Sequence, residues 1–363
     1  MKIGILTFHN TNNFGGALQT YALLTAIQKL GVDCEIIDYR SETITNRYRV
    51  QKLTEVKGLK GIIKYFLNNR ANIKTKKSFD EFYKKYLYMS YKSFDKESIR
   101  SSNDLYDKFI VGSDQVWNLS LSGMDYTYFL DFVDENNKKN AYAASFGVSM
   151  LDSNINEKVC SLLNEFNNIS VREPKPQNLV NINNEKSINV NLDPTFLISK
   201  QEWESLCNYD IKNKEYILLY TVSSNPFIFE FAKKLSKRNN NCEIIYLHHT
   251  HNIKFGMTNV RNIGPQEFLG YVKNAKYVIT TSFHGVALSI QFEKEFYYAL
   301  STEVNNFNSR INNVVNLLDL GFREIVEGKE IDKEIPINYS VVNKKLAAEK
   351  EKSLKYLKQV VLD

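Results

Sequence analysis

Residues 277–289 read Tyr-Val-Ile-Thr-Thr-Ser-Phe-His-Gly-Val-Ala-Leu-Ser, and their interpretation decides the fold. Tyr277 leads into the apolar pair Val278-Ile279, the composition of a short buried strand, and Thr280-Thr281-Ser282 then offers three N-cap side chains in a row. A strand therefore ends where a helix begins. That helix would carry Gly285, Val286, Ala287 and Ser289, small residues that let a backbone approach closely, while its first-turn amides are free to bind an anion. His284 falls at this junction, in the crevice beyond the carboxyl ends of parallel strands where open α/β sheets take their ligands. Position alone leaves two readings open: a functional imidazole, or a histidine that merely caps a helix start.

Working outward, the same alternation recurs along the chain. Residues 2–8 form a buried strand, and the loop His9-Asn10-Thr11-Asn12-Asn13-Phe14-Gly15-Gly16 feeds a helix over 17–30 that Gly31 ends. Another strand at 34–39 completes a βαβ opening. Asparagine and glycine tolerate the dihedrals of a loop that presents successive amides to a phosphate or carboxylate, although an ordinary helix-start turn has the same composition. Residues 58–91 read as helical, aromatic-rich and basic. A strand at 109–112 runs into Ser113-Asp114-Gln115-Val116-Trp117-Asn118, where Asp114 either orients a hydroxyl, holds a histidine, or caps the next turn. Strand 140–144 is followed by Ser145-Phe146-Gly147, and a helix over 157–166 by a strand at 169–173. Arg172 at its end either clamps an anion or pairs with Glu173 or another surface acid.

Residues 189–192, with Asp193-Pro194-Thr195, close the first half. The second half has helices at 200–207, 226–238, 264–273 and from 309 to near 321, with strands at 216–222, 242–247 and 296–300 around the His284 strand. A charged helix spans about 343–361. His248-His249-Thr250-His251 invites a metal reading, but with no nearby carboxylate the preferred reading is solvated polar residues. The expectation is an α/β protein of two Rossmann-like domains facing a central cleft. They cover 1–195, with a basic helical insertion at about 47–100, and 196–325, followed by a tail and helix over 326–363.

The chain has 363 residues, 43% hydrophobic and 24% charged, enough for two cores rather than one. Cys34, Cys160, Cys207 and Cys242 lie far apart, which argues against a disulfide framework or zinc site and for a reducing compartment. No apolar run approaches a membrane span, and 3–8 is too short for a signal-peptide core. The expected location is the cytoplasm. The formal charge of +6 is concentrated: residues 47–77 hold ten basic residues against one acid, Glu55. Val56, Leu59, Ile62, Ile63 and Phe66 recur there at helical spacing with Lys57, Lys60 and Lys64 between them. This describes either a basic amphipathic helix lying on an anionic membrane at its inner face or, as base rates favour, an ordinary surface helix. No recognition motif accompanies the charge, so nucleic acid is not an expected partner.

Several motifs together resemble the bacterial polysaccharide pyruvyl transferase family. They are Thr-Asn-Asn-Phe-Gly-Gly-Ala-Leu-Gln-Thr-Tyr-Ala-Leu from Thr11, Phe-Ile-Val-Gly-Ser-Asp-Gln-Val-Trp-Asn from Phe109, Tyr-Ala-Ala-Ser-Phe-Gly from Tyr142, Ser-Val-Arg-Glu from Ser170, Asp-Pro-Thr-Phe-Leu from Asp193, and Thr-Ser-Phe-His-Gly from Thr281. The resemblance runs from Ile3 to about Arg323. It implies a glycosyltransferase-B-like arrangement, and transfer of pyruvate from phosphoenolpyruvate onto two hydroxyls of a sugar in a surface glycan or its lipid-linked precursor. On that resemblance His284 is the general acid, and Arg172 and Arg310 are anion clamps. Asn12, Asn13, Gly15, Gly16, Gln19, Asp114, Ser282 and Gly285 would line the substrate site. Phosphoenolpyruvate is a co-substrate, and neither metal nor other cofactor is required.

The sequence departs from the family at one point. Many members carry Arg-Leu-His-Gly where this chain has Ser282-Phe283-His284-Gly285, leaving Arg310 to supply the charge. The rival enzyme is a glycosyltransferase of the same architecture using a nucleotide-sugar donor. A more distant rival is a membrane-surface adaptor acting through residues 47–77.

Overall fold

A computed structural model of the chain describes residues 1–50, 53–56, 58–174, 176, 178–179, 188–207, 214–248, 253–302, 308–328 and 335–363. By contacts it divides into two compact units. Unit 1 holds Met1–Arg49, Tyr83–Ile198 and Ala347–Asp363, and unit 2 holds Val50–Phe82 and Ser199–Leu346.

In unit 1, β1 (Lys2–Leu6), β2 (Asp33–Ile36), β3 (Lys108–Gly112) and β4 (Lys139–Tyr142) form a parallel sheet in the order β2-β1-β3-β4. Ile3, Ile5, Ile110 and Val111 are fully buried, as expected of parallel strands covered on both faces. Helix α1 (Phe14–Gln28) makes the crossover from β1 to β2, with Asn13 as its N-cap accepting from the Gly16 amide. Next come α2 (Glu42–Tyr48), α3 (Gly58–Tyr86, which crosses the division at 82/83), α4 (Leu119–Ser122) and α5 (Ser153–Asn164). A two-stranded parallel sheet, β5 (Ser170–Val171) with β6 (Asn189–Val190), joins β4 through the bridges Asn140–Asn168 and Ala144–Val171. One face of the unit centres on Trp117, stacked on Phe129 at 5.5 Å and flanked by Phe146 and Phe166. On the other, Leu357, Val360 and Val361 from the chain's end pack with Ile3, Ile5 and Ile110.

Unit 2 contains α6 (Lys200–Leu206), β7 (Tyr216–Tyr220), α7 (Ile228–Arg238), β8 (Glu243–Leu247), β9 (Thr258–Val260), α8 (Pro265–Asn274), β10 (Tyr277–Thr280), α9 (Phe283–Gln291), β11 (Glu295–Tyr298), α10 (Ser309–Leu317) and α11 (Tyr339–Leu362), whose last residues belong to unit 1. Its parallel sheet runs β11-β10-β7-β8-β9. Both sheets share one property that matters for ligands. Each unit's first strand has its successor on one side and a later strand on the other, so strand order reverses between β1 and β3 and between β7 and β10. Such switch points open a crevice at the carboxyl edge.

The α/β class agrees with the expectation, while details differ. Residues 50–82 group with unit 2 and 347–363 with unit 1, returns of the chain fixed by distant buried faces that local periodicity does not report. Neither α2 nor β9 was expected, because Thr43, Ile44 and Thr45 lower helix propensity and Thr258-Asn259-Val260 offers a single apolar residue. Lys57 and the side chains of Leu59, Lys60, Ile63, Lys64 and Phe66 lie outside the described residues. Among the described residues no helix is long and apolar enough to cross a membrane.

Candidate functional site

The junction after β10 is built as its residue types demand. Ser282 caps α9 by accepting from the Gly285 amide at 3.3 Å, and the Ser282 amide donates to Thr280 Oγ1 at 3.0 Å. A Cβ on Gly285 would sit 3.0 Å from Thr280 Cβ and closer still to Thr280 Oγ1, so only glycine lets α9 start directly upon β10. His284, in the helix's first turn, is 6% exposed and stands edge-on to Phe283 at 5.0 Å. The amides of Ser282 and Gly285, expected to face a ligand, are thus engaged within the junction itself.

Around His284 the carboxyl edge of unit 2 is polar. Thr281 Oγ1 accepts from the amides of Val222 and Ser223, tying the end of β10 to the end of β7. Asn225 donates to the Leu300 carbonyl, and Asn308 exchanges two hydrogen bonds with Ser301, which brings the start of α10 to the end of β11. Helices α9 and α10 pack against each other, and His284 and the half-buried Arg310 each lie in the first turn of their helix. The residues 221–225, 248, 281–284 and 299–302, which directly follow these strands, include no carboxylate. An imidazole and a guanidinium at such an edge suit an anionic ligand.

Unit 1 assembles the remaining expected residues differently. Asp114 adopts left-handed backbone (φ 64°), tolerable for aspartate, and a Cβ placed on Gly16 would lie 2.9 Å from Thr11 Oγ1 and 3.5 Å from Asp114 Oδ2. The amino-terminal loop and Asp114 are therefore neighbours at the β1/β3 switch point. Asn12 donates to the Tyr48 carbonyl at 3.3 Å, and the Gly16 amide is committed to Asn13. Gly15 is buried beside it. Gln19 is fully buried, with Nε2 donating to Thr7 Oγ1, Gly16 O and Thr20 Oγ1. These bonds support the loop from beneath.

Arg172, expected as an anion clamp, is surrounded by acids of its own unit. It is 2% exposed, and its NH1 donates to Asp193 Oδ2 at 2.5 Å. Glu173 and Asp114 lie 3.7 and 3.9 Å from the same guanidinium. Burial works against the charge, but these carboxylates more than offset it and raise the arginine's pKa. Asp193 further accepts from Ser113 and from the Thr195 amide and hydroxyl. Three carboxylates around one guanidinium leave the cluster net negative, which disfavours a trianion and suits hydroxyl donors.

Residues 13–303 match the family described as polysaccharide pyruvyl transferase. The chain belongs to that family. The matched span holds Asp114, Arg172 and His284, while Arg310 lies just beyond it. No curated protein matches the chain. Among solved structures it is similar to a UDP-GlcNAc 2-epimerase of Methanocaldococcus jannaschii in complex with UDP-GlcNAc and UDP, with 11% identity over 96% of this chain and 92% of that one and a TM-score of 0.46. It is also similar to S. aureus MnaA with UDP, at 12% identity over 98% and 90% with a TM-score of 0.47. The E. coli heptosyltransferase WaaC with ADP-2-deoxy-2-fluoro heptose shows 10% identity over 96% and 99%, at a TM-score of 0.35.

Some features escaped the sequence reading. His248, read as solvated, is 3% exposed and stacks on Tyr246, while His249, Thr250 and His251 lie outside the described residues. His9, directly after β1, is buried with Nε2 2.9 Å from Asp38 Oδ1. A histidine directly after the first predicted strand, and an aspartate near the end of the second, was the available signal for this pair. Tyr48 enters the unit 1 site from α2, an element the sequence did not reveal.

Proposed function

We propose that this transferase-family protein moves pyruvate from phosphoenolpyruvate onto two hydroxyls of a sugar, in a surface glycan or its lipid-linked precursor, forming a cyclic ketal. The match over residues 13–303 carries the reading, and the side chains at each unit's own carboxyl edge support what each would hold. The donor, with about three negative charges, belongs with His284 and Arg310. The acceptor hydroxyls belong with Asp114, Asn12 and Asn13.

In this scheme His284 delivers a proton to the enol methylene, making it a methyl group and leaving positive character on the adjacent carbon. One acceptor hydroxyl adds there, the second displaces phosphate, and two C–O bonds to the acceptor replace the C=C and C–OP bonds. Of the two hydroxyl protons released, one restores His284 and the other leaves with phosphate. Asp114 would serve as base for an acceptor hydroxyl, and histidine is suited to return and receive protons near neutral pH. Membrane contact through 47–77 would bring the enzyme to a lipid-linked acceptor. Charge reversal of Lys57, Lys60 and Lys64 should then reduce binding to anionic vesicles and leave turnover on a soluble acceptor unchanged; unaltered vesicle binding removes that part.

The test is phosphate release from phosphoenolpyruvate in the presence of lipid-linked glycan acceptors, beside consumption of nucleotide sugars under the same conditions. Acceptor-dependent phosphate release supports the proposal. Consumption of nucleotide sugars, with indifference to phosphoenolpyruvate, would replace it with the glycosyltransferase reading that the Ser282 departure leaves open.

A further inference from the structure

Unit 2 has a second buried imidazole at its carboxyl edge that nothing above employs. His248 is the first residue after β8, and β8 lies next to β7, whose other neighbour is β10. Leu247, Tyr220 and Thr280 are in register across the three strands. Two strand spacings separate β8 from β10, roughly 10 Å. The histidines after these strands therefore flank the end of β7, where strand order reverses.

The ring of His248 is held in place. It lies 3% exposed upon Tyr246, with centroids 4.6 Å apart and planes 11° from parallel. Tyr246 is itself part of the core under α7, with Ile217, Leu219 and Ile279, and takes the edge of Phe229 at 5.4 Å. Its hydroxyl lies 3.4 Å from Thr221 Oγ1 at the mouth of β7. The His248 amide donates to the Val260 carbonyl at 3.3 Å, and Leu247 pairs with Val260, so half-buried Arg261 follows β9 directly alongside His248. An imidazole fixed in plane beside a guanidinium, with no acidic residue in the sequence at 221–226, 248–264 or 281–284, is equipped for an oxyanion.

We propose that His248, with Arg261 beside it, binds the phosphate group of the donor, across the end of β7 from His284. The assignment rests on the phosphoenolpyruvate reading and adds two residues to it.

Calorimetric titration of the full chain with phosphoenolpyruvate, and separately with inorganic phosphate, tests it. His248→Phe keeps an aromatic ring on Tyr246 and removes the hydrogen bond; His248→Gln keeps a donor. The Phe variant should bind both ligands about tenfold more weakly with an unchanged melting temperature, the scale of a hydrogen bond to a charged group, and the Gln variant should recover most of that loss. Arg261→Ala should weaken both ligands as well. If the Phe variant melts early, the imidazole carbon-bound proton signals of the wild type, assigned to His248 by their loss in the Gln variant, should shift when phosphate is added. Equal affinity in wild type and Phe variant, or an unmoved His248 signal, overturns the assignment while leaving the function intact. A wild-type chain that binds neither ligand overturns the underlying phosphoenolpyruvate reading.

Discussion

The two units have similar parallel sheets and opposite chemistry at their carboxyl edges. In unit 1, Asp38, Asp114, Glu173 and Asp193 all follow closely on strands, and the basic side chains among them, Arg172, Arg40 and His9, lie against those carboxylates. In unit 2 the corresponding positions bring His248, Arg261 and His284, with Arg310 on the neighbouring helix. One topology can thus present either a hydrogen-bond-accepting or a cationic rim, because the fold fixes where the edge lies and the few residues after each strand fix its sign.

The largest effect should come from breaking the acidic edge. Arg172→Ala would leave Asp193 and Glu173 buried without their cation, at a cost of about 3–5 kcal/mol. Chemical denaturation should show that loss; a variant of wild-type stability would return Arg172 to the list of candidate ligand-binding residues. On the other edge, His284→Ala should lower turnover by about 100-fold or more, as for a lost general acid, with the fold retained. A near-wild-type rate would remove it from the proton-transfer role.

A smaller effect concerns pH. Burial alone would raise the pKa of Asp38, but hydrogen bonds from His9, Arg40 and Ser93 prevail and hold the carboxyl far below its ordinary value. Its folded pKa is depressed, so its stabilising contribution is fully present above the unfolded value near 4 and is lost as pH falls below that. Asp38→Asn should lower stability at pH 7 by on the order of 2 kcal/mol and flatten the acid limb of a melting-temperature profile. An acid limb as steep as in the wild type would show that other groups dominate.

How much of this was legible in the sequence depended on range. The β10-to-α9 junction was readable because apolar strand, capping run and glycine are contiguous, and the close approach of Thr280 to Gly285 explains the glycine. Which acid pairs with Arg172 was not legible, because Asp193 is 21 residues away and reaches it only through the pairing of β5 with β6. His248 looked solvated because a polar run after a strand has no local sign of burial; stacking on Tyr246, two residues earlier on the same strand face, supplies it. Gln19 follows the helical period but turns inward to Thr7, a contact that composition does not reveal.

Everything rests on the cationic rim receiving the small anion and the acidic one receiving hydroxyls. Titrating phosphoenolpyruvate into the wild type, Arg310→Ala and Asp114→Asn measures this directly. The account predicts a loss of affinity of about tenfold or more for Arg310→Ala and unchanged or tighter binding for Asp114→Asn. Undiminished affinity in the arginine variant, together with a loss in the aspartate variant, would contradict it.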